Sequence, residues 1–88
     1  MAVKTIQAVD KALVLLEQLA RDQPVGVSDL ARGVGLDKMA VQRVLVTLQR
    51  RDWARQVRPS GPWELTERAL RLGEQGGDLH SDSLPTGR

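Results

Sequence analysis

The 88-residue chain has no cysteine, no phenylalanine and no tyrosine, and its only histidine is His80. Without cysteine there is neither a disulfide framework nor a thiolate metal site, and the chain suits a reducing compartment. Trp53 and Trp63 are the whole aromatic complement, so the core has to be aliphatic. Two tryptophans also argue against single-strand binding by base stacking, which presents several aromatics on one platform. The longest apolar run, Ala12 to Leu16, is too short to span a bilayer, and the first residues lack a secretory pattern. A soluble, cytoplasmic protein with no membrane partner is expected. Catalytic signatures are missing as well: there is no GxxxxGK[ST] phosphate loop, no paired histidine or cysteine spacing, and no nucleophile held near His80. Glu64 and Glu67 read as strand surface and helix first turn. The chain is therefore expected not to be an enzyme and to carry no metal or cofactor.

What is present fits one small domain. A chain of this size buries only ~60% of the surface its unfolded form exposes, which leaves room for a single core. The formal charge of +2 hides a strong asymmetry. Between Arg32 and Arg58 stand seven basic residues and only two acidic ones, Asp37 and Asp52. Clustering of this kind makes an electrostatic footprint for a polyanion, although a merely solvated charged face gives the same pattern.

The periodicity predicts a mostly α fold with a small β-hairpin. Thr5 is placed to cap a first helix whose stripe is Ile6, Val9, Leu13, Leu16 and Ala20, widened by Ala12, Leu15 and Leu19. Pro24 and Gly26 end it. So broad a stripe suits a central helix, or one shared with a second subunit. A second helix is expected from Ser28 as its cap, with Leu30, Ala31 and Val34 turned inward. Gly33 weakens its last turn, and Gly35 supplies the left-handed reversal. Asp37 then caps a third helix, Lys38 to about Arg51, with Leu36 stapled on Val41. Val41, Val44, Leu45 and Leu48 form its buried stripe.

Two short helices joined at a glycine turn make a helix-turn-helix, and the outward side of the third helix carries the chemistry. Lys38, Met39, Gln42, Arg43, Val46, Gln49 and Arg50 remain exposed on this reading. Gln can bond adenine through two atoms, Arg or Lys can bond guanine O6 and N7, and Met can touch a thymine methyl group. Gln42 and Arg43 are the candidates for base reading, against the plainer roles of exposed helix former and phosphate holder. Trp53 to Arg58 and Trp63 to Leu65 read as two strands around the turn Pro59-Ser60-Gly61-Pro62. Such a hairpin after a helix-turn-helix is a wing, and Arg58 near its tip can reach a phosphate or the minor groove. The tryptophans are assigned to packing, either across the hairpin from one another or over the open end of the core. Thr66 caps a fourth helix, Glu67 to about Leu72, with Leu65 stapled on Leu70. From Gly73 the periodicity fades. The expected organisation is a winged helix-turn-helix over 1–74 and a disordered polar tail over 75–88 that contains His80.

From about Val9 to Gly73 the chain resembles the N-terminal DNA-binding domain of the isocitrate-lyase-regulator (IclR) family of bacterial transcription factors. The resemblance rests on Val9-Asp10-Lys11-Ala12-Leu13 with Leu15-Leu16, and on Val27-Ser28-Asp29-Leu30-Ala31-Arg32. It continues through Gly35-Leu36-Asp37-Lys38, Val41-Gln42-Arg43-Val44-Leu45 and Thr47-Leu48, and closes with Trp63-Glu64-Leu65-Thr66 and Leu70-Arg71-Leu72-Gly73. No single piece is specific; their order and spacing are. The resemblance implies that Lys38 to Arg43 enter the major groove and that Ser28 lies near the DNA backbone. Met39 and Ala40 replace the small hydroxyl residues usual there, which bears on the operator sequence, and Gly33 stands where a bulkier or charged residue is usual. Relatives continue through a linker helix into an effector-binding domain, so no small-molecule effector site is expected within these residues.

The expected function is sequence-specific binding of double-stranded DNA and transcriptional regulation by a homodimer, through Ser28, Lys38, Met39, Gln42, Arg43, Arg50 and Arg58. The alternative is a winged helix used for protein–protein interaction or dimerisation without specific DNA binding. The two readings part on whether Lys38, Arg43, Arg50 and Arg58 share one face.

Overall fold

The computed structural model describes residues 3–74, so the expected polar tail and His80 lie outside the described residues. Three helices are followed by a hairpin: α1 is Gln7–Asp22, α2 Val27–Val34, α3 Lys38–Arg50, β1 Ala54–Gln56 and β2 Trp63–Leu65. A fourth helical segment, α4, covers 67–74. The order is that of a winged helix-turn-helix. β1 and β2 pair antiparallel with Ala54 opposite Leu65, Arg55 opposite Glu64 and Gln56 opposite Trp63.

The core is aliphatic apart from one ring. Leu15 and Leu19 of α1, Leu30 and Ala31 of α2, and Val41 and Leu45 of α3 close around Ala54, Trp63 and Leu65. Trp63 is 1% exposed and is the largest fully buried side chain. Trp53 is only half-buried and precedes β1, so the two rings do not face one another across the hairpin. The pairing register decides this, because it sets Gln56 rather than Trp53 opposite Trp63. The expected strand over Trp53 to Arg58 is correspondingly shorter, since Val57 and Arg58 already belong to the turn.

β2 has a partner on its other edge that the sequence did not reveal. Val25, in the α1–α2 connection, exchanges both backbone bonds with Trp63, Val25 N–H to Trp63 O at 3.0 Å and Trp63 N–H to Val25 O at 2.8 Å. Gln23 adds a side-chain bond, its Oε1 accepting from Leu65 N–H at 2.7 Å. The hairpin is thus sewn to the end of α1 as well as packed on it.

Helix boundaries follow local chemistry with three shifts from expectation. Thr5 is not the α1 cap: Ile6 holds that position in extended conformation, without a side-chain cap bond. Ser28 does not cap α2 either, because the helix starts one residue earlier with Gly26 at the cap and leaves Ser28 in the first turn. The buried stripe of α1 is also rotated. Leu15 and Leu19 are buried and Leu16 packs beside them, whereas Ile6, Val9 and Leu13 stay 67%, 51% and 52% exposed. The reason is geometric: α1 meets α2, α3 and β2 on one side only, and its apolar surface is wider than that contact.

The turn of the helix-turn-helix is as the sequence indicates. Gly35 has φ 73°, a left-handed conformation that glycine adopts without steric penalty, and its N–H donates to Ala31 O at 2.9 Å. Asp37 caps α3, its Oδ1 accepting from Ala40 N–H at 2.8 Å. At the far end Arg51 is the cap residue, so α3 stops at Arg50. Thr66 Oγ1 donates to Asp52 O at 2.6 Å and accepts from Ala69 N–H at 3.3 Å, capping α4 while fastening it to the end of α3. The expected staple of Leu65 on Leu70 is not formed: Leu70 is 56% exposed, and Ala69 packs on the core instead.

Replacing Asp37 by Ala removes the one side-chain cap of α3 and should lower unfolding free energy by about 1 kcal/mol. Thr5→Ala, in contrast, should leave the urea midpoint unchanged. Equal effects of the two substitutions would contradict the observed helix starts.

Candidate nucleic-acid interface

The site is built outward from α3. Val41 and Leu45 turn into the core with Val44 and Leu48 beside them, and this fixes the rotation of the helix. At about 100° per residue, Met39, Arg43, Val46 and Arg50 then project directly away from the core. Lys38, Gln42 and Gln49 line the flank next to them. All seven are exposed, Met39 by 70%. Arg50 lies at the opposite end of the helix from Lys38, about 18 Å along the axis at 1.5 Å per residue, and so stands apart from the others.

The flank that carries Gln42 faces the wing. A shallow hollow of about 630 Å³ is lined by Ser28 and Asp29 at the start of α2, Gln42 of α3, and Gln56, Arg58 and Ser60 of the hairpin. Three residues singled out from sequence, Ser28, Gln42 and Arg58, are therefore brought around one concavity by three different elements. Asp29 introduces an acid there, but it is paired with Arg32 at 2.9 Å.

The wing tip is held closed by its own backbone. Val57 N–H donates to Pro62 O at 2.8 Å, Gly61 N–H donates to Arg58 O at 2.8 Å, and Gln56 Nε2 donates to Gly61 O at 3.1 Å. Ser60 takes a positive φ of 59° at the turn. Gly61 has no room for a side chain: a Cβ there would stand 2.7 Å from Arg58 Cγ and 2.9 Å from Arg58 O. Gln56 and Gly61 thus position Arg58, a role that residue type alone did not announce.

Arg43 leaves α3 on a different line. It borders a groove shared with α1, where Gln7 and Lys11 form the facing wall. The sequence gives no hint of this partnership, since residues 7 and 43 meet only through the tertiary packing of α1 on α3.

Charge is sorted by pairing. Arg32 pairs with Asp29, Arg55 with Glu64 at 2.9 Å, and Arg71 with Glu67 at 3.3 Å. Lys38, Arg43, Arg50 and Arg58 make no ion pair among the described residues. Three of these four lie on α3, with Arg50 at its far end, and the fourth stands at the wing across the hollow from Gln42. Among the described residues no group of three or more His, Asp or Glu side chains gathers as metal ligands would, and no helix is long and apolar enough to cross a membrane.

Comparison with known proteins gives a consistent assignment. The family model described as the IclR helix-turn-helix domain matches residues 8–58. The glycerol operon regulatory protein of Streptomyces coelicolor is 35% identical over 78 residues, which is 88% of this chain and 31% of that protein. The structure of an IclR transcriptional regulator from Alicyclobacillus acidocaldarius matches with a TM-score of 0.76 at 27% identity, over 86% of this chain and 31% of its own. Pseudomonas aeruginosa HmgR gives 0.77 at 27% identity, over 86% of this chain and 33% of its own. The chain spans about a third of the length of these relatives.

A Gly61→Ala substitution should force the wing tip open, because the new methyl group collides with the carbonyl that residue 61 bonds. Hydrogen exchange at residue 61 and Val57 is expected to speed up while Leu15 and Leu45 keep their protection. Unchanged exchange at both wing amides would show that the tip tolerates the methyl group.

Proposed function

The chain belongs to the IclR helix-turn-helix domain family, and from that premise we propose that it binds double-stranded DNA sequence-specifically and regulates transcription in the cytoplasm. α3 lies in the major groove, and the short wing meets the backbone or the minor groove. The observation that carries this reading is the exposed face of α3, on which unpaired cations stand beside Gln42 and Met39 with no acid among them. Such a face is suited to a polyanion whose base edges offer both hydrogen-bond acceptors and methyl groups. Gln42 and Arg43 read bases, Met39 supplies an apolar contact, and Lys38 stands at the helix start where it can reach base or phosphate. Ser28 and Arg58 hold the backbone around the hollow they share, and Arg50 adds positive charge at the far end. Neither a catalytic step nor a small-molecule effector site within these residues belongs to this reading.

The homodimer is part of the same proposal. Ile6 at the α1 cap and Val9 and Leu13 on α1 form an exposed apolar ridge. A second copy related by a two-fold axis can cover this ridge and present two recognition helices to a symmetric operator.

Selection of bound duplexes from a random pool at fixed salt tests the function, with an enriched sequence and a steep salt dependence expected. Loss of both would favour a protein-interaction module. Arg43→Ala should weaken binding to the selected site by ~1–3 kcal/mol and relax preference at one position. Equal weakening on every duplex would instead make Arg43 a phosphate contact. For the dimer, Leu13→Asp should convert the DNA-bound species from two copies to one in light scattering. A monomer on the operator before any substitution would exclude the dimer.

A further inference from the structure

The groove between α1 and α3, about 540 Å³ in volume, carries positive charge that nothing opposes. Lys11 of α1 and Arg43 of α3 line it, and no acidic side chain does. The hollow beside the wing differs, since it holds Asp29 along with Arg58. A third hollow, between β1 and α4, sets Asp52 and Glu67 against its arginines. Lys11 also lacks a neutralising neighbour along its own helix. The positions three and four residues away are Gln7, Ala8, Val14 and Leu15, none of them acidic. Two like charges left facing each other across a groove are relieved by an anion placed between or above them.

The geometry of the duplex says where that anion sits. The major groove is about 12 Å wide and a helix with its side chains about 10–12 Å across, so a helix lying in it brings both its flanks close to sugar-phosphate edges. One flank of α3 carries Gln42 and the hollow with Ser28 and Arg58. The other flank carries Ala40 and Thr47, and beyond them stand Gln7 and Lys11. We propose that Lys11, with Gln7 one turn before it, holds a phosphate on the DNA strand opposite the one met by Ser28 and Arg58. This rests on the reading that α3 docks in the major groove. α1 thereby becomes part of the DNA surface, and the duplex is gripped from both edges of the groove. The contact is compatible with the apolar ridge, because Lys11 and Leu13 are two residues apart and point roughly 160° away from each other around α1.

The test is the salt dependence of binding by the 88-residue chain to a duplex enriched from the random pool. Each phosphate neutralised contributes about 0.9 to the slope of log affinity against log salt. Lys11→Gln is expected to reduce the slope by about that amount with the order of preference among duplexes unchanged, and Lys11→Arg to restore it. A merely structural role for Lys11 would shift the unfolding midpoint without changing the slope. An unchanged slope in K11Q, measured beside a reduced slope in R58Q, overturns the role of Lys11 while leaving the DNA reading in place. Absence of salt-dependent binding by the unsubstituted chain overturns the DNA reading, and this proposal with it.

Discussion

The structure hangs on Trp63. Its indole fills the space enclosed by three helices, while its backbone is bonded to Val25 on one side and belongs to the ladder with β1 on the other. A chain with no other fully buried aromatic depends on that ring for volume, since Leu, Val and Ala supply the rest of the core. The same residue therefore joins the helical layer to the hairpin. What reaches the wing tip from the core does so through two residues of strand, and at the tip itself Gln56 and Gly61 hold Arg58.

Around this anchor the cations fall into two sets. Arg32, Arg55 and Arg71 are committed to carboxylates close by. Lys4, Lys11, Arg21, Lys38, Arg43, Arg50, Arg51, Arg58 and Arg68 have no such partner among the described residues, and Lys11, Lys38, Arg43, Arg50 and Arg58 surround α3 on its exposed side and both flanks. Exposed ion pairs contribute little to stability, so this sorting matters more for the field outside the protein than for the fold. Asp29, paired with Arg32 at the surface, still lines the hollow beside the wing, whereas no acid lines the groove between α1 and α3.

Much of this was legible in the chain. The 3.6-residue period of Val41, Val44, Leu45 and Leu48 determines which side of α3 is free, and Asp37 and Gly35 announce the turn by chemistry that acts within a few residues. Local signals fail where tertiary contact decides. The breadth of the α1 stripe left its rotation open, and only packing against α2, α3 and β2 selects Leu15 and Leu19 over Leu13 and Val9. Val25 lies between a helix stop and a glycine, where nothing marks it as a strand partner for a residue 38 positions away. Lys11 was visible only as part of a family pattern. Its place beside Arg43 depends on how α1 crosses α3, which one helix's periodicity does not encode.

The recognition surface of α3 is small, and its size limits how much information one copy can extract from a genome. Three or four side chains at the start of a helix read about 4 base pairs, enough to single out one sequence in roughly 256. Competing sites number on the order of 10⁶ or more. A lone domain would thus find thousands of equivalent addresses, however tightly it held each one. A second copy, as proposed above, would double the number of letters read and so square the selectivity to roughly 65,000, and the geometry joining the copies would add the spacing as a further letter. On this arithmetic, the proposed pairing of two copies through the exposed ridge of α1 would contribute to reading the genome without touching a base.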